Sequence, residues 1–189
     1  MVEDSDIYFE TERLVIRKFR LSDLPTFLTY RNDTHVARYQ TWKTPLLEKE
    51  AIEFINSQIL SEIGIVDTWH QLAIELKENS LHIGDCAIYT QHSGNQGEIG
   101  ITISREYHRK GFAFEVLRNL FKFIFNELKF HRVTTLVDSN NVGSLFLMEK
   151  LGMRKEGLYK ESYYDKASDK WTDEVFFAIL EDEFLSRSN

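Results

Sequence analysis

The segment His108–Glu115 places a glycine beside two cations at a point where a strand is predicted to give way to a helix. Residues 98–104 before it alternate apolar and polar side chains, and the residues after it are apolar at helical spacing. A helix that begins after a short glycine turn presents several unpaired backbone N–H groups at one point. Such groups bind phosphate or pyrophosphate, and Arg109 and Lys110 add positive charge. The alternative is a structural helix start with a closely packed glycine.

A second segment is predicted to be a helix that begins at Asn141 and ends at Gly152. In order and spacing, the two segments resemble the Gcn5-related N-acetyltransferase (GNAT) superfamily. In that family a Gln/Arg-x-x-Gly-x-Gly/Ala turn holds the pyrophosphate of acetyl-coenzyme A, and His108–Ala113 resembles it. The family pattern Asn-x-x-Ser, followed by Glu-Lys-Leu-Gly-Phe, is matched by Asn141, Ser144 and Glu149–Met153.

The two ends of the chain resemble one branch of this superfamily, the RimJ/RimL-like ribosomal-protein alanine acetyltransferases. Thr11–Arg17 looks like their first strand, and Trp171–Glu174 is similar to a segment near their end. The resemblance spans about residues 11–180. It implies direct transfer of an acetyl group from acetyl-coenzyme A to an amine, without a covalent enzyme intermediate. A protein N-terminal amine, a polyamine and an aminoglycoside amine all remain open as acceptors.

Composition limits the class of protein. The 189 residues are 42% hydrophobic and 28% charged, which predicts one globular domain over 1–189 with a core of about 11–181. No apolar run approaches the ~20 residues of a membrane span. The N-terminus lacks the regions of a signal peptide, and one cysteine, Cys86, excludes an internal disulfide. We therefore expect a cytoplasmic protein with no membrane partner and a buried cysteine.

The net charge of −7 argues against nucleic acid as a direct partner and suits a cationic substrate such as an amine. The six histidines are scattered and no His-Glu-x-x-His or paired cysteines occur, so no metal site is expected. Dinucleotide-binding, Lys-containing phosphate-loop and Gly-x-Ser-x-Gly motifs are also missing from the sequence.

Periodicity predicts the elements that must position these segments. Strands are predicted at 13–19, 69–76, 81–89, 98–104, 132–137, 154–164 and 171–180. Helices are predicted at 22–29, from a cap at Thr44 and Pro45 to about Ile63, from Gly111 to about Leu128, and at 141–151. Alone, this order gives an α/β fold with a mixed sheet. The resemblance implies a mostly antiparallel sheet of about seven strands, splayed between the fourth and fifth and flanked by about four helices.

The resemblance assigns the cofactor-binding residues. Backbone N–H groups of the turn would hold the pyrophosphate, and the pantetheine arm would enter the splay, pair with main chain and contact the Asn141 side chain. The alternatives are a plain strand and a helix cap at Asn141. His108 stands where Gln or Arg is usual, and Arg109 where close relatives often have glycine. The predicted set is Ile101, Ile103, His108, Arg109, Lys110, Gly111, Phe112, Ala113, Phe114, Asn141 and Ser144.

The predicted general base is Glu98, because its strand would lie beside the thioester and its side chain faces away from the isoleucines. Glu75 and Asp85 on the preceding strands are alternatives, and His108 is another. For each carboxylate, a solvated strand position is the structural alternative.

The predicted general acid for the departing thiolate is Ser144. Many superfamily members carry a tyrosine four residues further along, but this chain has Met148 there. Tyr159, Tyr164 and the ammonium of the substrate are therefore alternatives. A non-catalytic acyl-coenzyme A-binding module is the competing function.

Substrate choice is predicted to lie in the N-terminal helices and in the hairpin Tyr159–Trp171. The same aromatic residues would also suit the interface of a homodimer, which relatives commonly form. The candidate pocket residues are Arg31, Asp33, Tyr39, Trp42, Tyr163 and Tyr164.

Overall fold

The computed structural model describes residues 6–165 and 168–187, and its strands form one sheet of eight. Along the chain they are β1 Ile7–Glu10, β2 Leu14–Arg17, β3 Thr68–Leu76, β4 His82–Thr90, β5 Gln96–Ile103, β6 Arg132–Asp138, β7 Arg154–Asp165 and β8 Lys170–Leu180. Their order in the sheet is β1-β2-β3-β4-β5-β6-β8-β7. Only β5 and β6 are parallel neighbours among these strands. The mixed, mostly antiparallel sheet is therefore confirmed, with β1 as an added edge strand.

The splay lies between β5 and β6. The two strands pair only at Gln96–Arg132, Gly97–Val133 and Glu98–Thr134. Beyond Glu98, β5 continues to Ile103 without a ladder partner in β6. The strands therefore diverge as predicted, between what the sequence presented as its fourth and fifth strands.

The described residues form six α-helices around this sheet. They are α1 Leu24–Arg31, α2 Thr34–Ala37, α3 Glu48–Leu60, α4 Phe112–Asn126, α5 Val142–Lys150 and α6 Glu181–Arg187. Four correspond to predicted helices, whereas α2 and α6 were not predicted. They have only 4 and 7 residues, too few for a helical period to stand out.

The core has two layers, one on each face of the sheet. Leu72 and Ile74 of β3 pack in the cluster that contains the buried face of α4. Ala73 between them packs instead with Phe27 of α1 and Ile55 of α3. Successive residues of a strand point to opposite faces, so α4 covers one face of the sheet and α1 with α3 covers the other.

Both boundaries of α3 differ from prediction. The expected cap at Thr44 is wrong, because α3 begins at Glu48 and the Glu50 carboxylate accepts a hydrogen bond from the Leu47 N–H over 2.9 Å. The same helix ends at Leu60, before the predicted Ile63.

The expected buried cysteine is confirmed, since Cys86 is fully buried and burial raises the pKa of its thiol. None of the described helices is both long and apolar enough to cross a membrane.

Candidate functional site

The turn before α4 presents unpaired N–H groups at the end of the splayed strand. Gly111 caps the helix with φ +84°, a left-handed conformation that glycine adopts without the cost other residues bear. Arg109 also has a positive φ, of 60°. The first four N–H groups of a helix have no acceptor within it, so those at Phe112, Ala113 and Phe114 are available to a ligand.

An ion pair fixes this turn against the start of β2. The Glu115 carboxylate accepts hydrogen bonds from Thr11 Oγ1 at 2.6 Å and from Arg13 Nε at 2.7 Å. Burial opposes ionisation here, but these hydrogen bonds lower the pKa of Glu115 below its usual value. Arg13 also donates to the Lys110 carbonyl at 3.1 Å, and its guanidinium lies over the Phe112 ring. The carboxylate in the first turn of α4 therefore bonds to Arg13 and Thr11 rather than to the helix N–H groups.

The main chain of β5 has polar groups that face the splay. The Gly97 and Ile99 carbonyls accept hydrogen bonds from the hydroxyls of Thr134 at 3.2 Å and Thr135 at 3.0 Å, both on β6. Alternate residues of a strand direct their main-chain groups to the same neighbour, so Ile101 directs its N–H and C=O toward β6 as well. No β6 residue pairs with Ile101, which leaves both groups facing the gap.

Two clefts meet at this gap. The turn cleft, of about 630 Å³, runs along β5, the turn and α5, and the carboxylate cleft, of about 200 Å³, lies beyond it. The residues that line both clefts are Tyr39, Gln40, Ile101, Asn141 and Ser144. A linear molecule in the turn cleft would therefore end where the carboxylate cleft begins.

The structure brings the predicted cofactor-binding residues together, with one exception. All of them except Lys110 line the turn cleft. The Lys110 ammonium lies over the Tyr107 ring at 4.8 Å, and its carbonyl bonds to Arg13. Asn141 caps α5 through a 3.2 Å bond from the Ser144 N–H to its Oδ1, so the helix-cap alternative describes its contact in this structure.

The carboxylate cleft contains Glu98 and three further acids, Asp138, Asp165 and Glu174. Asp138 on β6 lies directly opposite Glu174 on β8. Burial, and then the nearby Glu174 charge, raises the pKa of Glu98 above its usual value. An acid whose pKa is raised toward neutrality is a better proton acceptor at physiological pH.

The two alternative carboxylate bases lie outside both clefts. Glu75 accepts a hydrogen bond from Arg17 Nε at 2.6 Å, and Asp85 accepts one from Arg31 at 3.0 Å as well as one from the Tyr30 hydroxyl. Glu75 is buried in an ion pair that joins β2 to β3, and Asp85 is buried in one that joins α1 to β4. Neither contacts the gap.

Some of the aromatic candidates line a cleft and others lie outside both. Tyr159 stacks on Phe176 with centroids 5.7 Å apart, and Tyr164 bonds to Asp169, both away from the two clefts. Of the candidate pocket residues, Tyr39 and Tyr163 line a cleft, whereas Arg31, Asp33, Trp42 and Tyr164 line neither.

Sequence reasoning missed the acids of β6 and β8. Thr134 and Asp138 alternate with the buried Val133 and Val137, and this period of two would have placed Asp138 on the non-core face. That Asp138 and Glu174 lie in one cleft with Glu98 depends on the order of the strands in the sheet. Within residues 6–165 and 168–187, no three His, Cys, Asp or Glu residues are arranged to hold a metal ion.

Comparison with known proteins gives consistent results. Residues 13–154 match the family model described as an acetyltransferase (GNAT) domain. The chain is 30% identical over 177 residues to the uncharacterized N-acetyltransferase p20 of Bacillus licheniformis, a match that covers 92% of this chain and 96% of the relative. It is 28% identical over 178 residues to the uncharacterized N-acetyltransferase YnaD of Bacillus subtilis, covering 94% and 99%.

Solved structures have the same fold. An acetyltransferase (GNAT family) from Bacillus anthracis superposes with a TM-score of 0.81 at 28% identity, covering 94% of this chain and 99% of the other. The spermidine N-acetyltransferase from Vibrio cholerae, in complex with CoA and spermine, gives a TM-score of 0.79 at 21% identity, covering 91% and 98%. The second likeness concerns the fold alone.

Proposed function

Because the chain belongs to the GNAT acetyltransferase family, we propose that it transfers the acetyl group of acetyl-coenzyme A to a primary amine by direct attack. The observation that carries this proposal is the junction of the two clefts at Ile101. One cleft begins at unpaired helix N–H groups, and the other contains a carboxylate with a raised pKa. We extend the proposal to one catalytic domain over residues 1–189.

The turn cleft fits acetyl-coenzyme A. The N–H groups at Phe112, Ala113 and Phe114 suit a pyrophosphate, since a helix N-terminus carries partial positive charge. The unpaired main-chain N–H and C=O of Ile101 suit an amide-containing pantetheine arm, which would replace the missing β6 ladder. The bound thioester would supply an activated acetyl group at the junction. There, a main-chain N–H of β5 would stabilise the negative charge that develops on the carbonyl oxygen.

The carboxylate cleft fits the acceptor. Glu98 would take the proton that the amine must lose, directly or through water, and burial with Glu174 nearby raises its pKa, which favours that role. Asp138 and Glu174 lie directly opposite each other on the neighbouring strands β6 and β8, and directly opposed like charges are destabilising. A cationic amine between them would relieve this repulsion, which favours an acceptor that arrives positively charged.

For the acceptor we propose a protein N-terminal amine, as the likeness to the RimJ/RimL-like branch suggests. A small-molecule amine is the second candidate, and the acidic lining of the carboxylate cleft favours a polyamine. An aminoglycoside amine would carry positive charge too. We propose a homodimer in the cytoplasm, with exposed aromatics of the β7–β8 hairpin such as Trp171 at the interface.

One observation favours a non-catalytic acyl-coenzyme A-binding module. Met148 lines the carboxylate cleft with only 3% of its surface exposed, at the position where many relatives have an acidic tyrosine. A thioether has no proton to give. A binding module would keep the turn cleft and lack turnover.

Two measurements test these functions together. Thermal unfolding is recorded with and without millimolar acetyl-coenzyme A, since a ligand at 100 times its Kd stabilises by ~2.7 kcal/mol. Release of free coenzyme A is then followed with N-terminal peptides, spermidine and an aminoglycoside as acceptors. A raised unfolding temperature with amine-dependent release supports the transferase. A raised temperature without release from any acceptor supports the module, and no shift contradicts both.

A further inference from the structure

We propose that the Tyr39 hydroxyl is the general acid that protonates the departing coenzyme A thiolate, an assignment that rests on the proposed acetyl transfer. The residue follows α2, which periodicity did not predict. Its phenol supplies the acidic proton that Met148 does not.

The position of Tyr39 carries the inference. Its side chain lines both the turn cleft and the carboxylate cleft, so it lies at their junction. Its hydroxyl donates a hydrogen bond to the Asn140 carbonyl over 3.2 Å, across 101 residues of sequence. Asn140 precedes the cap of α5, and the first turn of that helix carries Ser144. The phenol therefore contacts the residue that precedes the cap of α5.

The other tyrosines of the two clefts lie to one side of this junction. Tyr107 lines the turn cleft but not the carboxylate cleft, and Tyr163 lines the carboxylate cleft but not the turn cleft. Tyr39 is the one tyrosine among the described residues that lines both. A sulfur that leaves a carbonyl at the junction has Tyr39 and Ser144 as its neighbouring hydroxyls.

Chemistry favours the phenol over the alcohol. Model phenols titrate near pH ~10 and model thiols near ~8.5, so a phenol and a thiol exchange a proton at modest cost. An aliphatic alcohol is a much weaker acid than a phenol. The hydroxyl of Tyr39 already donates its proton to a hydrogen bond, with the Asn140 carbonyl 3.2 Å away.

The protons balance in this scheme. Glu98 takes one proton from the acceptor ammonium, and the amine nitrogen then bonds to the carbonyl carbon. As the carbon–sulfur bond breaks, its electron pair stays on sulfur and Tyr39 gives its proton to that sulfur. The phenolate recovers a proton from the nitrogen of the new amide, through water, and Glu98 releases its proton to solvent. The products are the N-acetylated acceptor and coenzyme A as the thiol.

The test compares Tyr39→Phe with wild type and with Tyr8→Phe, a control whose hydroxyl bonds to His70 outside both clefts. Three quantities are measured for each protein: kcat, the Kd for acetyl-coenzyme A by calorimetry, and the pH profile of kcat from pH 6 to 11. General acids contribute about 10²–10⁴-fold, so we expect Tyr39→Phe to lose about 10²-fold in kcat. The Kd of Tyr39→Phe should stay within threefold of the wild-type Kd. Wild type should show a decline in kcat at high pH, and this decline should be absent from Tyr39→Phe. Tyr8→Phe should match wild type in kcat, Kd and pH profile.

Several results would overturn the assignment. One is a kcat within threefold of wild type in Tyr39→Phe, and another is a lost kcat with an unchanged high-pH decline. A Kd that rises as much as kcat falls would show that the Tyr39–Asn140 hydrogen bond only holds the cleft together. If Ser144→Ala removes the high-pH decline instead, serine is the acid. If wild type binds acetyl-coenzyme A and acetylates no amine, the proposed function fails and this assignment fails with it.

Discussion

His108 Nε2 donates a hydrogen bond to the main-chain carbonyl of Ile103 over 2.7 Å. The acceptor is a carbonyl, so this ring nitrogen carries the proton. The bond joins the turn before α4 to the last residue of the splayed strand β5. We had expected the main chain of both Ile101 and Ile103 to face a pantetheine arm, but this bond occupies the Ile103 carbonyl. Ile101 is therefore the one of the two whose main-chain N–H and C=O both face the gap.

Removing this bond should loosen the turn without unfolding the protein. His108→Ala is expected to raise the Kd for acetyl-coenzyme A about two- to tenfold, because a typical hydrogen bond contributes about 0.5–1.5 kcal/mol. His92→Ala is the matched control, since that side chain is 90% exposed beside Asp67. Calorimetric titration measures both. An unchanged Kd in His108→Ala would show that the turn keeps its shape without the imidazole.

A carboxylate at Gly111 should abolish binding of acetyl-coenzyme A. Gly111→Glu puts a negative charge at the N–H groups proposed for the pyrophosphate, and it also forces a side chain into a backbone with φ +84°. Gly64→Glu separates the two effects, because Gly64 has φ +90° with no atom within 4 Å of an added Cβ. Both variants should lose about 1–2 kcal/mol of stability from the left-handed backbone. Only Gly111→Glu should lose the thermal shift with ligand; a retained shift would misplace the phosphate site.

Glu98 and Glu174 should together control the acidic side of the pH profile of kcat/KM. Burial and the Glu174 charge raise the pKa of Glu98, so Glu174→Gln should lower that pKa. A base works when deprotonated, and the rise of kcat/KM with pH should therefore move to lower pH in Glu174→Gln. Glu98→Gln should lose about 10²–10⁴-fold in kcat/KM. Glu53→Gln on the exposed surface of α3 is the control. A profile that does not move in Glu174→Gln would remove Glu98 from the role of base.

Acidification should destabilise the fold through His70. Its ring is 2% exposed and hydrogen-bonded to Tyr8 at 2.8 Å and Ser61 at 3.1 Å. Burial, and then the Lys18 charge, lowers the pKa of His70 from 6.5 to about 4. Between these values the unfolded chain binds the extra proton, so the free energy of unfolding falls as the pH drops from 6.5 to 4.

One such group contributes a slope of up to about 1.4 kcal/mol per pH unit. Urea unfolding at several pH values should show a shallower slope in His70→Gln than in wild type, with a lower stability at pH 7 from the lost hydrogen bonds. Some slope should remain, because burial also lowers the pKa of His82. His92→Gln, at the exposed site, is the control. Equal slopes in His70→Gln and wild type would contradict the assignment.

Local patterns in the sequence predicted much of the site. The glycine of the turn and the apolar period behind it placed the start of α4, and the Asn141 cap with Gly152 placed both ends of α5. These features depend on residues within a few positions of one another, since a helix cap and a left-handed turn are set by nearby side chains and backbone angles. Alternation along β5 likewise placed Glu98 away from its isoleucines.

Other features depend on which distant segments meet. Nothing near Glu75 in sequence showed that Arg17 would bind it, 58 residues away. Glu75 was a candidate base until the pairing of β2 with β3 placed Arg17 beside it. The four residues of α2 likewise form no pattern that a period could reveal.

The sequence by itself determined the family, the order of the main strands and helices, and the turn with its unpaired N–H groups. Each of these is set by short-range chemistry, by side-chain periodicity or by a motif of fixed spacing. Only the tertiary structure decided that Tyr39 lies at the junction of the clefts and that Glu174 lies near Glu98. Those meetings depend on how far β5 and β6 diverge and on how the chain packs across the gap, which no local pattern contains.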